Sequence, residues 1–469
     1  MSELVNDTHS LLNPTRVAEI HRVTNTGEIV SLVRSAAKRE MKVAVCGARH
    51  AMGGQQFATD GLLIDMTGMN QILDLDADKG VVTIQAGINW QQLIEGLKQI
   101  QSEVPKEHTW VIAQKPTGAD DLTLGGSLSA NVHGRGLTMK PLISDVEEFS
   151  LIDVDGNLKK INRTNDPDLF SLVIGGYGLF GIIVEIKLRL LRFCNLERCV
   201  SVVRSSELAE IFTMRIKEGH VYGDFQFAID HEQENFLTEG IFSSYKVAEP
   251  GMTASVDGKK LSMDEWRELL YLAHFNKKLA YEKYKSHYLA SNGQIYASDT
   301  HQLSTYLAGY HEDLDKNHQH IGNRGQRSSE VIGEHYVPLR ALDEFLRSAA
   351  TILREEQADI VYGTVRLISK DDESFLAWAK DDFACTIFNI HTVHDELGKE
   401  KTQNAFRRLI QLSLSLGGSF YLTYHCYALR KQIETCYPRF QKFLQMKMQY
   451  DSHEMFASNW WMHHKQLFC

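Results

Sequence analysis

The chain has 469 residues, 43% hydrophobic and 23% charged, with a formal net charge of −10. That composition is ordinary for a globular protein with apolar material for two or three domains, and the acidity argues against nucleic acid as a partner, which favours a basic face. There is no apolar run of ~18 residues to span a membrane, no cationic start followed by an apolar stretch to act as a secretory signal, and the seven scattered cysteines include no CxxC pair, so reduced thiols, a cytoplasmic location and no metal site are expected.

The first periodic segment is Thr24–Lys42, where Ile29, Val30, Val33 and Ala37 fall on one helical face. It leads into a short strand, Val43-Ala44-Val45. The stretch Val43–Gln55, VAVCGARHAMGGQ, then breaks into a loop with Gly47 and the pair Gly53-Gly54 around Arg49 and His50. Glycine permits positive φ and close approach of a ligand. Consecutive backbone amides in such a loop can form a nest for an anion such as a pyrophosphate. A histidine inside a phosphate cradle is unusual, and points to a group that bonds its side chain. Strands follow at Gly61–Met66 and Gly80–Ala86, with Asp74, Asp76 and Asp78 placed in the turn between them, and a helix starts near Asn89. This alternation reads as α+β rather than a purely parallel sheet.

Pro116–Gly136, PTGADDLTLGGSLSANVHGRG, reads as a second loop-rich segment. Its small side chains permit close approach of a flat or extended ligand, and His133 is embedded in it. Val146–Val154 and Asn157–Ile161 predict a hairpin turning at Asp155-Gly156. Further on, Gly176, Gly178 and Gly181 match GxGxxG. A dinucleotide site needs a helix after that match. Ile183–Leu190, IVEIKLRL, alternates with a strand period instead, so the segment is read as a glycine-rich turn beside a cofactor and not as an NAD site.

Beyond Arg192 come a helical piece, Met263–Ala290, whose Leu/Tyr stripe predicts core packing, and a polar stretch around His311–Arg327. Strands are expected at Ser329–Val337, Ile360–Ile368 and Cys385–Val393, with a helix at Leu339–Glu356. Together these predict a second domain, an antiparallel sheet with covering helices. The end reads as a strand (Ser419–Tyr427), a helix near Tyr437–Lys447, and an aromatic tail with Phe456, Trp460 and Trp461, His463-His464 lying at the surface.

Three segments, CGARHAMGG, TLGGSLSANVHGRG and DPDLFSLVIGGYGLFGIIVEIKLRL, stand in the order and spacing of the FAD-linked oxidoreductases of the vanillyl-alcohol oxidase type. The tail YPRFQKFLQMKMQYDSHEMFASNWW is similar to that family's usual ending. The chain resembles the family over nearly its whole length, strongly over 20–192 and weakly in the middle, and is nearest in motif to the sugar-lactone and polyol oxidases. The resemblance implies an α+β fold: a PCMH-type FAD-binding domain of two α/β subdomains over 1–195, an inserted substrate domain over 196–419 built on an antiparallel sheet covered by helices, and a segment, 420–469, returning to the FAD domain. It also implies FAD lying extended, with its pyrophosphate on Gly47–Met52.

The cofactor positions carried over are Gly47, Ala48, Arg49, His50, Ala51, Met52 and Gln55 in the first loop. In the second they are Thr117, Gly118, Leu124, Gly125, Gly126, Ala130, Asn131, His133 and Gly134, and in the glycine-rich turn Gly176, Gly181 and Ile182. In many members a histidine at the place of His50 is bonded covalently to the flavin, which fixes the ring and raises its electron affinity. Here Ala48, Arg49 and Ala51 depart from the surrounding pattern. Ala119–Leu124 holds no cysteine for a second bond.

Family chemistry is removal of a hydride from a C–H bond to the flavin, with proton loss from an adjacent O–H or N–H; the protein positions the substrate and manages the proton. On the strand Gly363–Leu367, Arg366 keeps the arginine of a Glu-x-Arg pair and Thr364 replaces the glutamate. His391 stands where several members have an active-site histidine, and His425 where the polyol oxidases carry lysine. Strand alternation puts Thr364 with Arg366 and Asn389 with His391, so one sheet is expected to present Arg366 and His391 together. Glu334 and Tyr336 are further candidates. The implied activity is oxidation of a CH–OH group of a sugar, aldonolactone or polyol-like small molecule, the electron acceptor left open with oxygen among the choices. The alternatives are an amine, phenol or lipid-linked sugar as substrate, or flavin binding without turnover.

Overall fold

The structure, a computed structural model, describes residues 2–118, 120–254, 258–303, 310 and 327–469. The polar stretch at His311–Arg327 thus lies, apart from Arg327, outside the described residues. No helix among the described residues is long and apolar enough to cross a membrane.

The chain opens with an antiparallel pair, β1 (Glu3–Val5) and β2 (Thr15–Val17). A three-stranded parallel sheet follows, from β3 (Glu19–Arg22), β4 (Val43–Cys46) and β5 (Leu62–Asp65), with β5 central. The helix Thr26–Lys38 links β3 to β4. Its N-cap Asn25 accepts from the Glu28 amide, and it buries Ile29, Val33 and Ala36. It stops four residues short of the predicted Lys42, the Arg39 amide closing the last turn on carbonyls of Ser35, Ala36 and Ala37.

The second sheet is antiparallel: β6 (Ile72–Asp76), β7 (Val81–Gln85), β8 (Trp110–Ile112), β9 (Val146–Ile152), β10 (Leu158–Asn162) and β11 (Ile182–Arg192). Its order is β10-β9-β11-β7-β6, with β8 on the far end of β11. Asp74 and Asp76 therefore stand in a strand, not in the turn assigned to them. An edge strand with one wet face tolerates polar residues that read as a loop. The glycine-rich second segment also differs from expectation: Leu124–Ala130 is a helix, N-capped by Thr123 and ended by Asn131 in the left-handed region (φ 52°). The GxGxxG match sits between the helix Pro167–Val173 and β11. That order, helix then turn then strand, is the reverse of a dinucleotide fingerprint.

The largest sheet has eight antiparallel strands: β12 (Asn195–Arg204), β13 (His220–Phe227), β14 (Glu239–Val247), β15 (Ile295–Ala297), β16 (Ser328–Val337), β17 (Asp359–Ile368), β18 (Phe383–Val393) and β19 (Ser419–Phe420). Their order is β15-β12-β14-β13-β17-β18-β16-β19. Side-chain alternation divides its two faces. Phe225, Val331, Val365 and Phe388 pack on one side against the helices Leu208–Lys217, Leu342–Glu355 and Glu396–Ser415. Glu330, Glu334, Tyr362, Arg366 and Asn389 stand on the other, lining a cavity. Met263–Ala290 is two helices broken at Asn276, whose side chain caps the second. Its tyrosine stripe does more than pack: Tyr281, Tyr284 and Tyr288 line the same cavity.

The tail returns to the parallel sheet. The Val43 amide donates to the Met455 carbonyl (2.7 Å) and the Ala457 amide to the Val43 carbonyl (3.1 Å). Helices Phe440–Tyr450 and Asn459–Phe468 follow, with Trp460 and Trp461 fully buried. His463 is exposed, but His464, expected at the surface, is buried with its Nδ1 at 2.8 Å from the Trp460 carbonyl.

Candidate functional site

One cavity of about 970 Å3 runs from the β4 loop to the inner face of the eight-stranded sheet. That is the size of a site for a large organic ligand. At one end lies the loop after β4. Arg49 is in the left-handed region (φ 61°), and Gly47, Ala48, Arg49, Ala51 and Met52 line the cavity. None of these five amides donates to another described residue. A run of unused amides around one left-handed residue is a nest for an anion. Gly47 is required by packing: a Cβ there would meet Thr123 Oγ1 at 2.0 Å. The helix Leu124–Ala130 contributes its surface but not its N-terminal donors, because Leu124 and Gly125 donate to the Ile88 and Ala86 carbonyls and Gly126 to Thr123 Oγ1.

His50 is buried at this end and bracketed. Its Nδ1 lies 2.7 Å from His9 Nε2, and its Nε2 lies 2.9 Å from Asp121 Oδ2. Burial, then the neighbouring His50, push His9 down to about 4, so the His9 ring is neutral at pH 7.

The middle of the cavity is built around Glu334. Its Oε2 accepts from Tyr336 Oη (2.5 Å) and lies 3.0 Å from His133 Nε2, while its Oε1 accepts from Tyr424 Oη (2.7 Å). Burial pushes this carboxyl up, but the His133 charge and the three hydrogen bonds outweigh it and bring it to about 2. Glu334 is therefore an anion at neutral pH. His133 Nδ1 faces the Gly134 carbonyl at 2.9 Å, so both ring nitrogens face acceptors, the pattern an imidazolium satisfies. Cys385 Sγ lies 3.7 Å from Glu334 Oε2. Burial and that carboxylate push the thiol well up, which removes it as a nucleophile.

Arg366 reaches the same space from β17. Its side chain is 5% exposed, yet its guanidinium has no hydrogen-bond or carboxylate partner among the described residues, and its Nε is fully buried. A buried cation with unused donors beside a large cavity is a site shaped for an acceptor-rich ligand.

The cavity brings together Gly47–Met52, Gln55, Thr117, Gly118, Gly125, Gly126, Ala130, His133, Gly181, Ile182, Glu334 and Arg366. It does not include Leu124, Asn131, Gly134 or Gly176. Leu124 is core. Asn131 uses its side chain on Asp371 Oδ2 and the Ile143 amide. Gly134 and Gly176 face Gln114 and the Leu172 carbonyl.

Two catalytic candidates are also elsewhere. His391 lies beyond the cavity rim, its Nδ1 at 3.0 Å from Asp359 Oδ2 and its ring against His274. Arg366 and His391 are thus not presented side by side; Asn389, two residues earlier on the same face, is the residue that lines the cavity. His425 stacks on Tyr427 in a separate small pocket, where burial lowers it to about 4. The predicted strand to Tyr427 ends at Phe420, so alternation fails there and Tyr424 faces the cavity instead. Sequence reading passed over Tyr424, Asp121 and His9. Tyr424 stood one residue from a named candidate; the N-terminal His9 gave no signal.

The nest of free amides and the unpaired Arg366 both fit FAD, whose pyrophosphate is an anion and whose ring edge carries acceptors. Residues 17–162 match the family described as FAD binding domain, and residues 288–464 match the family described as D-arabinono-1,4-lactone oxidase. The L-galactono-1,4-lactone dehydrogenase of Arabidopsis thaliana mitochondria is 24% identical over 191 residues, 40% of this chain and 30% of that one. Cytokinin dehydrogenase 2 of Arabidopsis thaliana is 29% identical over 35% of this chain and 32% of its own length. The L-gulonolactone oxidase of Mus musculus is 27% identical over 36% of each chain. The aligned part spans about a third of these relatives.

Proposed function

Because this chain belongs to the PCMH-type, FAD-linked oxidoreductases, we propose that it oxidises a CH–OH group of a small hydroxylated molecule of the sugar, aldonolactone or polyol kind. The observation that carries this reading is the single cavity joining the amide nest to the buried Glu334–His133–Tyr424 cluster. Gly47–Met52 would hold the FAD pyrophosphate, and Arg366 an electron-rich edge of the ring system or the substrate. When bound, FAD accepts the hydride that the substrate carbon gives up. The residues of the chain manage the proton. Glu334 is an anion held in place by three donors, and of the two hydroxyls among them Tyr424 is the one that lines the cavity. A substrate hydroxyl at Tyr424 Oη can pass its proton toward Glu334 through that bond. His133, 3.0 Å from Glu334 Oε2 through its Nε2, fixes the carboxylate.

The domain division expected from the sequence, 1–195, 196–419 and 420–469, is part of this proposal. It is supported by a sheet that begins with β12 at Asn195 and ends with β19 at Phe420. Covalent attachment of FAD through His50 is also part of it. The support is a buried imidazole at the nest that lines the cavity and is oriented by His9, 2.7 Å from its Nδ1. After acid denaturation and electrophoresis, flavin fluorescence should travel with the chain and vanish in His50→Ala.

The purified protein should be yellow, and a panel of sugar lactones, polyols, amines and phenols added anaerobically should include a CH–OH compound that bleaches the flavin. A colourless protein that takes up no FAD on reconstitution would sink the proposal.

A further inference from the structure

The cavity has a second polar cluster that the proton path does not use. Arg198, on β12, and Arg135, two residues past His133, both line it. Their guanidinium carbons lie 5.3 and 4.9 Å from the centroid of the same ring, Tyr245, and Arg198 also covers Tyr288 at 4.3 Å. Arg198 is 6% exposed. Its Nε donates to Ser243 Oγ (3.0 Å) and its Nη1 to Ser291 Oγ (3.1 Å) and Tyr296 Oη (3.0 Å). Among the described residues Nη2 has no acceptor and no carboxylate comes within 4 Å of the group. Hydroxyls and aromatic faces therefore aim Arg198 without cancelling its charge. Arg135 has one carboxylate, Asp224, at 3.4 Å, and donates to the His301 carbonyl at 2.7 Å.

The wider balance points the same way. Among the described residues, Arg49, Arg135, Arg198, Arg366, Lys259 and Lys260 line the cavity against two carboxylates, Glu330 and Glu334, and Glu334 is already paired with His133. In a chain with net charge −10, the described lining of the cavity is thus positive. Burying a guanidinium with no counter-charge is unfavourable, and an anionic ligand supplies that charge through short, charge-assisted bonds.

We propose that Arg198, with Arg135, forms a subsite for an anionic group on the substrate, a carboxylate or a phosphate carried by a hydroxylated carbon skeleton, in preference to a neutral lactone or polyol. This rests on reading the cavity as the substrate site of an oxidoreductase.

The test uses the holoprotein and two matched pairs, gluconate against sorbitol and glucose 6-phosphate against glucose. Binding is read by thermal shift and by perturbation of the flavin spectrum. In at least one pair the anion should bind tenfold or more tightly, its advantage should shrink as salt rises, and Arg198→Gln should remove that advantage while leaving the neutral partner unchanged. The pair that discriminates identifies carboxylate or phosphate. Equal or tighter binding of the neutral member in both pairs, a comparison that needs no variant, overturns the subsite. So does a folded Arg198→Gln that weakens both members of a pair equally. Anaerobic absorbance in the same titrations separates the two readings. Anion preference with an unbleached flavin keeps the subsite and removes the oxidation; bleaching without anion preference does the reverse.

Discussion

Glu334 shows how one residue acquires a role that its strand alone does not announce. In the sequence it is one carboxylate in SSEVIGEHYVP. In the fold, alternation on β16 turns it to the cavity, and three donors from three segments converge on it. Glu334→Gln should slow anaerobic flavin reduction by ~10²–10⁴-fold, the range for a positioned acid–base group, and Tyr424→Phe should slow it less. Equal rates in stopped-flow reduction would count against both roles. The next residue, His335, faces the other side, among Phe345, Phe388 and Phe406. Neither of its ring nitrogens has a partner among the described residues, and burial lowers it to about 3. An unsatisfied buried polar group is destabilising, so His335→Leu should raise stability by about 1 kcal/mol in denaturant melts. Arg366, Glu334 and His133 were legible from motif and alternation. His425 misled, because the turn at Leu422–Tyr424 shifts which side chain faces inward.

At the scale of elements, the β4 loop and the helix Leu124–Ala130 fit together without room for a side chain at Gly47. Gly47→Ala should lower the flavin-to-protein ratio after purification several-fold, since the new Cβ displaces Thr123 and with it the N-cap of the helix. A full complement of flavin in that variant would show that the loop tolerates the shift. Strongly periodic segments such as the first helix and β16–β18 were readable to within a few residues. The helix at Leu124–Ala130 was not: two glycines and two serines in seven residues have poor helix propensity, and what overrides it is the Thr123 cap and packing against the Ala86 backbone. The edge strand β6 was lost for the opposite reason, because it is too wet to show alternation.

Across the whole molecule, burial of histidines sets the response to acid. His9, His220 and His425 are lowered to about 4, and His335 and His464 to about 3. Each has a folded value below its unfolded ~6.5. The unfolded chain then binds more protons, so stability is complete above pH ~6.5 and falls as pH drops toward 4, by ~1.4 kcal/mol per unit for each group. Glu334 adds a second loss between pH ~4.5 and 2. Buried Asp145 and Glu330 are shifted upward and oppose the trend, but they are fewer. Thermal melts from pH 7.5 to 4.5 should show a steadily falling midpoint; a flat profile would mean that the rings titrate normally. The two-ended closure of the fold was readable only by likeness, since nothing local in the sequence links Val43 to Met455. That pairing also orders events in time. β4, which carries the nest, lacks its hydrogen bonds to 455–457 until that distant segment has been synthesised. A nascent chain that has not yet reached those residues therefore has no finished cradle, and capture of the flavin waits for them.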